Sequence, residues 1–232
     1  MVGFKVCCIQ STAEADMAIA AGAFAIGLVG EMPDGPGALS DDRIAEISAG
    51  VRRRYGDAIW RVLLTSRTNG GDVADHIHWT GVNAVQIVDH VDAKTWRVIR
   101  AAQPTTKIIQ VVHVESDAAL DYARYAEEFV DLILLDSGTP SAVDGARSLG
   151  GTGRTHDWLI SKQIVAEISR PVLLAGGLRP DNVAAAVATV APHGLDICSG
   201  LRNRDAGYAL EQSKLDAFAT ALASAPMETI DA

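Results

Sequence analysis

The chain has 232 residues, 48% hydrophobic and 21% charged, enough for one large domain or two small ones. Its net charge of −9 argues against the basic surface that general nucleic-acid binding needs, so an anionic ligand must be held by local donors. Aromatic residues make up only 5%, which leaves Ala, Val, Ile and Leu to fill the core.

In chain order, a strand-length apolar run at 4–10 (FKVCCIQ) is followed by a helical segment from Thr12, read as its cap, to Gly22. A second strand at 23–30 leads to a helix at 40–54, opened by Ser40 with Asp41 and Asp42 behind it and closed by Arg52, Arg53 and Arg54. That order complements the helix dipole. Further strands are expected at 58–66, 84–90, 107–114, 131–137, 171–177 and 195–200, and further helices at 71–80, 92–102, 117–128, 156–168, 180–190 and 209–224. Several strands are almost continuously apolar, as parallel strands covered on both faces are.

About eight β–α units with no break in composition predict a single (β/α)8 TIM barrel over residues 1–224, with 225–232 a frayed tail. The alternative is a doubly wound open sheet, but the glycine fingerprint GxGxxG does not follow the first strand. The longest apolar run, Ala18 to Gly30, falls short of the ~18–20 residues of a membrane span. The N-terminus shows no charged n-region or cleavage site. Three cysteines, Cys7, Cys8 and Cys198, form no disulfide framework and point to a reducing compartment. No four-ligand zinc spacing is present. These features predict a cytoplasmic protein without membrane or nucleic-acid partners, monomeric or homodimeric, needing no metal or cofactor.

In a barrel the chemistry sits at the C-terminal ends of the strands. The later strands end there in functional groups: Asp136, then loops carrying Gly151, Thr152 and Gly153, then Gly176 and Gly177, then Ser199 and Gly200. Glycine lets backbone N–H groups converge on a phosphate. An acid beside such a cradle predicts an enzyme acting on a phosphorylated small molecule. Strand alternation places Lys5 and Cys7 inside the barrel and Cys8 under a helix. Cys7 reads either as a base or nucleophile favoured by the Lys5 ammonium, or as a small buried hydrophobe. Asp136 reads as a proton donor or as a backbone cap. His90 and His113, near Asp89 and Glu115, suit surface or supporting roles better than a metal site, and His76 and His78 share no helical face. Arg67 and Arg154 follow strands and are candidates for holding a substrate carboxylate.

Together these stretches resemble phosphoribosylanthranilate isomerase, the tryptophan-pathway barrel enzyme. KVCCI (5–9), GAFAIGL (22–28), GGTGRTHDW (150–158), LAGGLRPDNV (174–183) and LDICSG (195–200) carry the similarity nearly end to end. The resemblance implies that Cys7 is a general base and Asp136 a general acid in an Amadori rearrangement of an aminoaldose to an aminoketose. No metal or cofactor is implied. The chain departs from the pattern at Cys8, where the family has glycine. It departs again at Gln10 and Ser11, at Val88 and Asp89, and at Arg202, where glutamate is common. Gly37 stands where the resemblance expects an arginine that holds the anthranilate carboxylate. Two enzymatic readings follow. One is a true isomerase with a rebuilt anthranilate pocket using Arg67 or Arg154. The other is a paralogue acting on another phosphosugar, which would turn over phosphoribosylanthranilate weakly. A non-catalytic phospho-ligand sensor is a third, set against by the intact acid–base pair.

Overall fold

The computed structural model describes residues 2–32, 36–137 and 158–225. Eight strands, β1 (Gly3–Val6), β2 (Ala25–Val29), β3 (Trp60–Thr65), β4 (Ala84–Ile87), β5 (Lys107–His113), β6 (Leu132–Asp136), β7 (Val172–Leu174) and β8 (Gly194–Ile197), pair in parallel and in chain order. Val6 lies opposite Ile26 on one side and Ile197 on the other, so β8 returns to β1 and the sheet closes. The barrel is the predicted one, and the open sheet is excluded. Helices α1 (Thr12–Ala20), α2 (Asp41–Tyr55), α3 (Gly70–Thr80), α4 (Ala93–Ala102), α5 (Ala118–Glu127), α6 (Trp158–Glu167), α7 (Val183–Val190) and α8 (Gln212–Ala223) alternate with the strands. A short antiparallel ribbon, β9 (Arg202–Asn203) and β10 (Ala209–Leu210), lies between β8 and α8.

The double burial of each strand explains its composition. Val6, Ile26, Leu28, Leu63, Ile133 and Leu135 pack outward against the helices. Ala25, Val62, Leu64, Ile109, Val111, Leu132, Leu134 and Leu173 fill the interior. Helix starts follow local chemistry. Ser11, not Thr12, caps α1: its backbone is extended and its Oγ accepts from the Glu14 amide at 3.1 Å, while Thr12 is already helical. Ser40 caps α2 as expected, accepting from the Arg43 amide. Asn69 and Asp92 do the same for α3 and α4. Among the described residues no helix is long and apolar enough to cross a membrane.

Candidate active site

β1 delivers Cys7 to the C-terminal rim of the barrel. Its amide still donates to Ile197 O at 2.8 Å, so it continues the strand. β2 makes room beside it: a Cβ on Gly27 would lie 2.8 Å from Cys7 Sγ. Lys5 shares the interior, as alternation requires. It is fully buried, and its Nζ pairs with the Asp196 carboxylate of β8 at 2.8 Å. Burial opposes the Lys5 charge, but Asp196 and Cys7 more than offset it and keep its pKa raised.

Cys7 titrates well below the ordinary thiol range. Hydrogen bonds from the Cys198 and Cys8 thiols are the largest causes; burial opposes them, and the Lys5 charge adds to them. Cys8 and Cys198 are pushed up, chiefly through their bonds to Cys198 and Cys7 respectively, so they stay protonated and donate. All three sulfurs lie within 4.8 Å of one another. Among the described residues they form the cluster with metal-ligating chemistry, but the Cys8 and Cys198 sulfurs are 2.6 Å apart. Two sulfurs on one tetrahedral zinc, bound at ~2.3 Å, sit roughly 3.7 Å apart.

Cys8 was expected under a helix, and this is corrected. Strand alternation ends with β1 at Val6, and Cys8 adopts φ +62°, a left-handed conformation uncommon outside glycine. Its side chain swings into the interior cluster with Cys7 and Val29. This backbone suits the glycine that the resemblance expects at that position. Gly37 packs directly on it: with φ +78°, it would place a Cβ 3.0 Å from Cys8 Cβ. The two departures from the family pattern therefore touch.

Asp136 ends β6, opposite His113 of β5. Burial raises its pKa above the usual carboxylate value. The His113 and Lys5 charges and a 2.7 Å bond from the Ser137 amide oppose this, while the Cys7 thiolate reinforces it. Asp136 thus accepts a backbone bond while interior charges act on it. His113 Nε2 donates to Val88 O at 2.9 Å, which fixes the proton on that nitrogen. His113 is thus a neighbour of Asp136; its place at the end of β5 was the signal. His90 stacks on Tyr122 at 3.9 Å and joins no ligand cluster among the described residues. His76 pairs with Asp41 at 2.8 Å.

Gly176 and Gly177 follow β7 with φ of +84° and +63°, and Ser199 and Gly200 open a helical turn after β8. The two loops touch: a Cβ on Gly200 would collide with Leu178 O. Among the described residues the amides of Gly176, Gly177, Ser199 and Gly200 donate to no protein acceptor. Asn182 braces the first loop, donating to Gly177 O and accepting from the Arg179 amide. Gly151, Thr152, Gly153 and Arg154 lie outside the described residues. Arg67 reaches the Asp41 carboxylate at 3.4 Å and the Asp72 carbonyl at 3.3 Å, so it is engaged at the starts of α2 and α3.

Arg202 has a role that sequence reading did not anticipate. Its buried guanidinium donates to Cys7 O at 2.6 Å and to the Glu14 carboxylate at 2.8 Å, gripping the main chain that carries Cys7. Glu14 also accepts from the Gln10 and Leu210 amides. Opposite charges at 14 and 202 were visible in the sequence, but only closure of the barrel brings them together.

A closed parallel barrel with a depressed thiol and a raised carboxyl group at its C-terminal rim defines a class, the (β/α)8 proteins equipped for proton transfer at the mouth. The family model described as N-(5'-phosphoribosyl)anthranilate (PRA) isomerase matches residues 5–209. N-(5'-phosphoribosyl)anthranilate isomerase 2 of Methanosarcina mazei is 37% identical over 201 residues, covering 86% of this chain and 85% of that one. The crystal structure of phosphoribosyl anthranilate isomerase from Thermotoga maritima superposes with a TM-score of 0.76 at 26% identity, over 96% of this chain and 99% of that one. Another, solved with reduced 1-(O-carboxyphenylamino)-1-deoxyribulose 5-phosphate, gives 0.71 at 23% identity over 96% and 99%. The chain belongs to the phosphoribosylanthranilate isomerase family.

Proposed function

We propose that the protein isomerises phosphoribosylanthranilate in tryptophan biosynthesis, with Asp136 as general acid and Cys7 as general base. Asp136 donates its proton to the ring oxygen as the furanose opens to a Schiff base. The Cys7 thiolate then takes the proton from C2′, and the enolamine relaxes to the aminoketose. The observation that carries this reading is the opposite displacement of the two groups. The thiol is depressed and the carboxyl raised within one interior, which shifts one group toward acting as a base and the other toward acting as an acid. Family membership at 37% identity sets this reading above a diverged paralogue or a sensor, and against the weak turnover expected from Gly37.

The unbonded amides after β7 and β8 support phosphate binding by Gly176, Gly177, Ser199 and Gly200, completed by Gly151, Thr152 and Gly153. Arg67 or Arg154 takes the anthranilate carboxylate. The setting is the cytoplasm. The test is kcat/KM on phosphoribosylanthranilate for the parent protein, Cys7→Ser and Asp136→Asn. Each substitution removes a group contributing typically ~10²–10⁴-fold and is expected to lower kcat far more than it raises KM. Parent turnover in either variant removes that residue from the mechanism. Failure of the parent to rescue a tryptophan auxotroph lacking this isomerase overturns the substrate.

A further inference from the structure

We propose that Cys8 and Cys198 form an oxidisable dithiol that closes to a reversible disulfide beside Cys7, making the barrel mouth a site of redox modification by hydroperoxides. Their sulfurs are 2.6 Å apart, inside van der Waals contact and roughly 0.6 Å beyond an S–S bond of ~2.03–2.05 Å. The fold explains the approach. Cys8 lies two residues past Val6 and Cys198 one past Ile197, and these two residues are register partners on adjacent strands. That register sets Cys198 opposite Cys7, one residue before Cys8. The left-handed turn at Cys8 aims its sulfur toward β8 instead of outward. Cys7 and Cys8 are chain neighbours, which strains a bond between them and leaves Cys198 as the partner.

The third thiol supplies a route. Cys7, the most acidic of the three, attacks a peroxide oxygen. The O–O bond breaks, an alcohol or water leaves, and Cys7 becomes a sulfenic acid. Cys198 displaces its hydroxyl as water, forming a Cys7–Cys198 disulfide. Cys8 then attacks the Cys198 sulfur and expels Cys7, the better leaving group, as thiolate. In sum two thiols lose two protons and two electrons, and the peroxide accepts them. The product consumes both S–H donors that stabilise the Cys7 thiolate, so the base is weakened while Cys7 itself stays reduced. That loss of activity rests on Cys7 being the base; the disulfide does not.

The test treats the reduced full chain with stoichiometric hydrogen peroxide and reads intact mass, free thiols in denaturant, and kcat/KM. The expected result is a loss of 2 Da, a fall from three thiols to one, and at least a tenfold drop in kcat/KM at pH 7, all reversed by dithiothreitol. Diamide, which needs no sulfenic acid, is expected to remove 2 Da from Cys7→Ser but not from Cys198→Ser. Gains of 16 or 32 Da without the 2 Da loss overturn the proposal, as does equal thiol loss in Cys198→Ser. A disulfide that leaves kcat/KM unchanged overturns the effect on activity. Disulfide formation alongside full activity of Cys7→Ser would instead refute the base assignment and leave the dithiol standing.

Discussion

Gly27→Ala tests whether the room made for Cys7 matters to function. The added methyl would sit 2.8 Å from Cys7 Sγ, 3.1 Å from Cys7 Cα and 3.2 Å from Leu64 Cδ1. The thiol and the leucine methyl can rotate away. The Cα moves only with the main chain, which is held by Ile197 O and by the Arg202 guanidinium. Overpacking of this kind costs ~1–3 kcal/mol. At roughly 2–4 °C per kcal/mol for a chain of this size, Tm should fall by about 2–12 °C. A sulfur displaced by ~1 Å from its reacting position should lower kcat about 10²-fold. KM should change little, because the loops after β7 and β8 are untouched. Thermal melts and steady-state kinetics on phosphoribosylanthranilate read both effects. A variant with parent kcat and a lowered Tm would show that the packing matters and the placement of Cys7 does not, refuting its role as base.

Cys198→Ala removes the largest cause of the depressed Cys7 pKa. The thiolate then forms only at higher pH, so the acid limb of the kcat/KM profile should move upward; an unmoved limb would show that Cys198 does not support the thiolate. Gly37→Arg sets a charge-assisted contact of ~1.5–3 kcal/mol against ~1–2 kcal/mol for a left-handed non-glycine residue and the 3.0 Å approach to Cys8. Alone it should leave KM unimproved, whereas combined with Cys8→Gly it should lower KM. A tenfold gain from the single change would refute the steric coupling. Arg202→Met strips Glu14 of its buried partner and should cost about 3 kcal/mol in denaturant unfolding; a loss below 1 kcal/mol would show that Arg202 is not an anchor.

The sequence by itself determined the architecture and much of the site. Apolar runs of strand length alternating with helical segments admit few arrangements, and all eight strands formed on the expected runs, although β1 ends at Val6 and not at residue 10. Period-two alternation also placed Lys5 and Cys7 inside, because that rule needs only a local extended backbone. Alternation failed at Cys8, where φ turns positive past the strand end and reverses the side chain's direction. What only the tertiary structure decided were contacts across the β1–β8 seam. Cys8 meets Cys198 190 residues away, Arg202 reaches the Cys7 carbonyl across 195, and Lys5 finds Asp196. Such pairs carry no signal in spacing, since barrel closure sets them and not the neighbouring residues. The ammonium expected to activate Cys7 is shared with a carboxylate, and two thiols do more of that work. Hydrogen bonding and desolvation depend on which atoms converge in space, which sequence order does not specify.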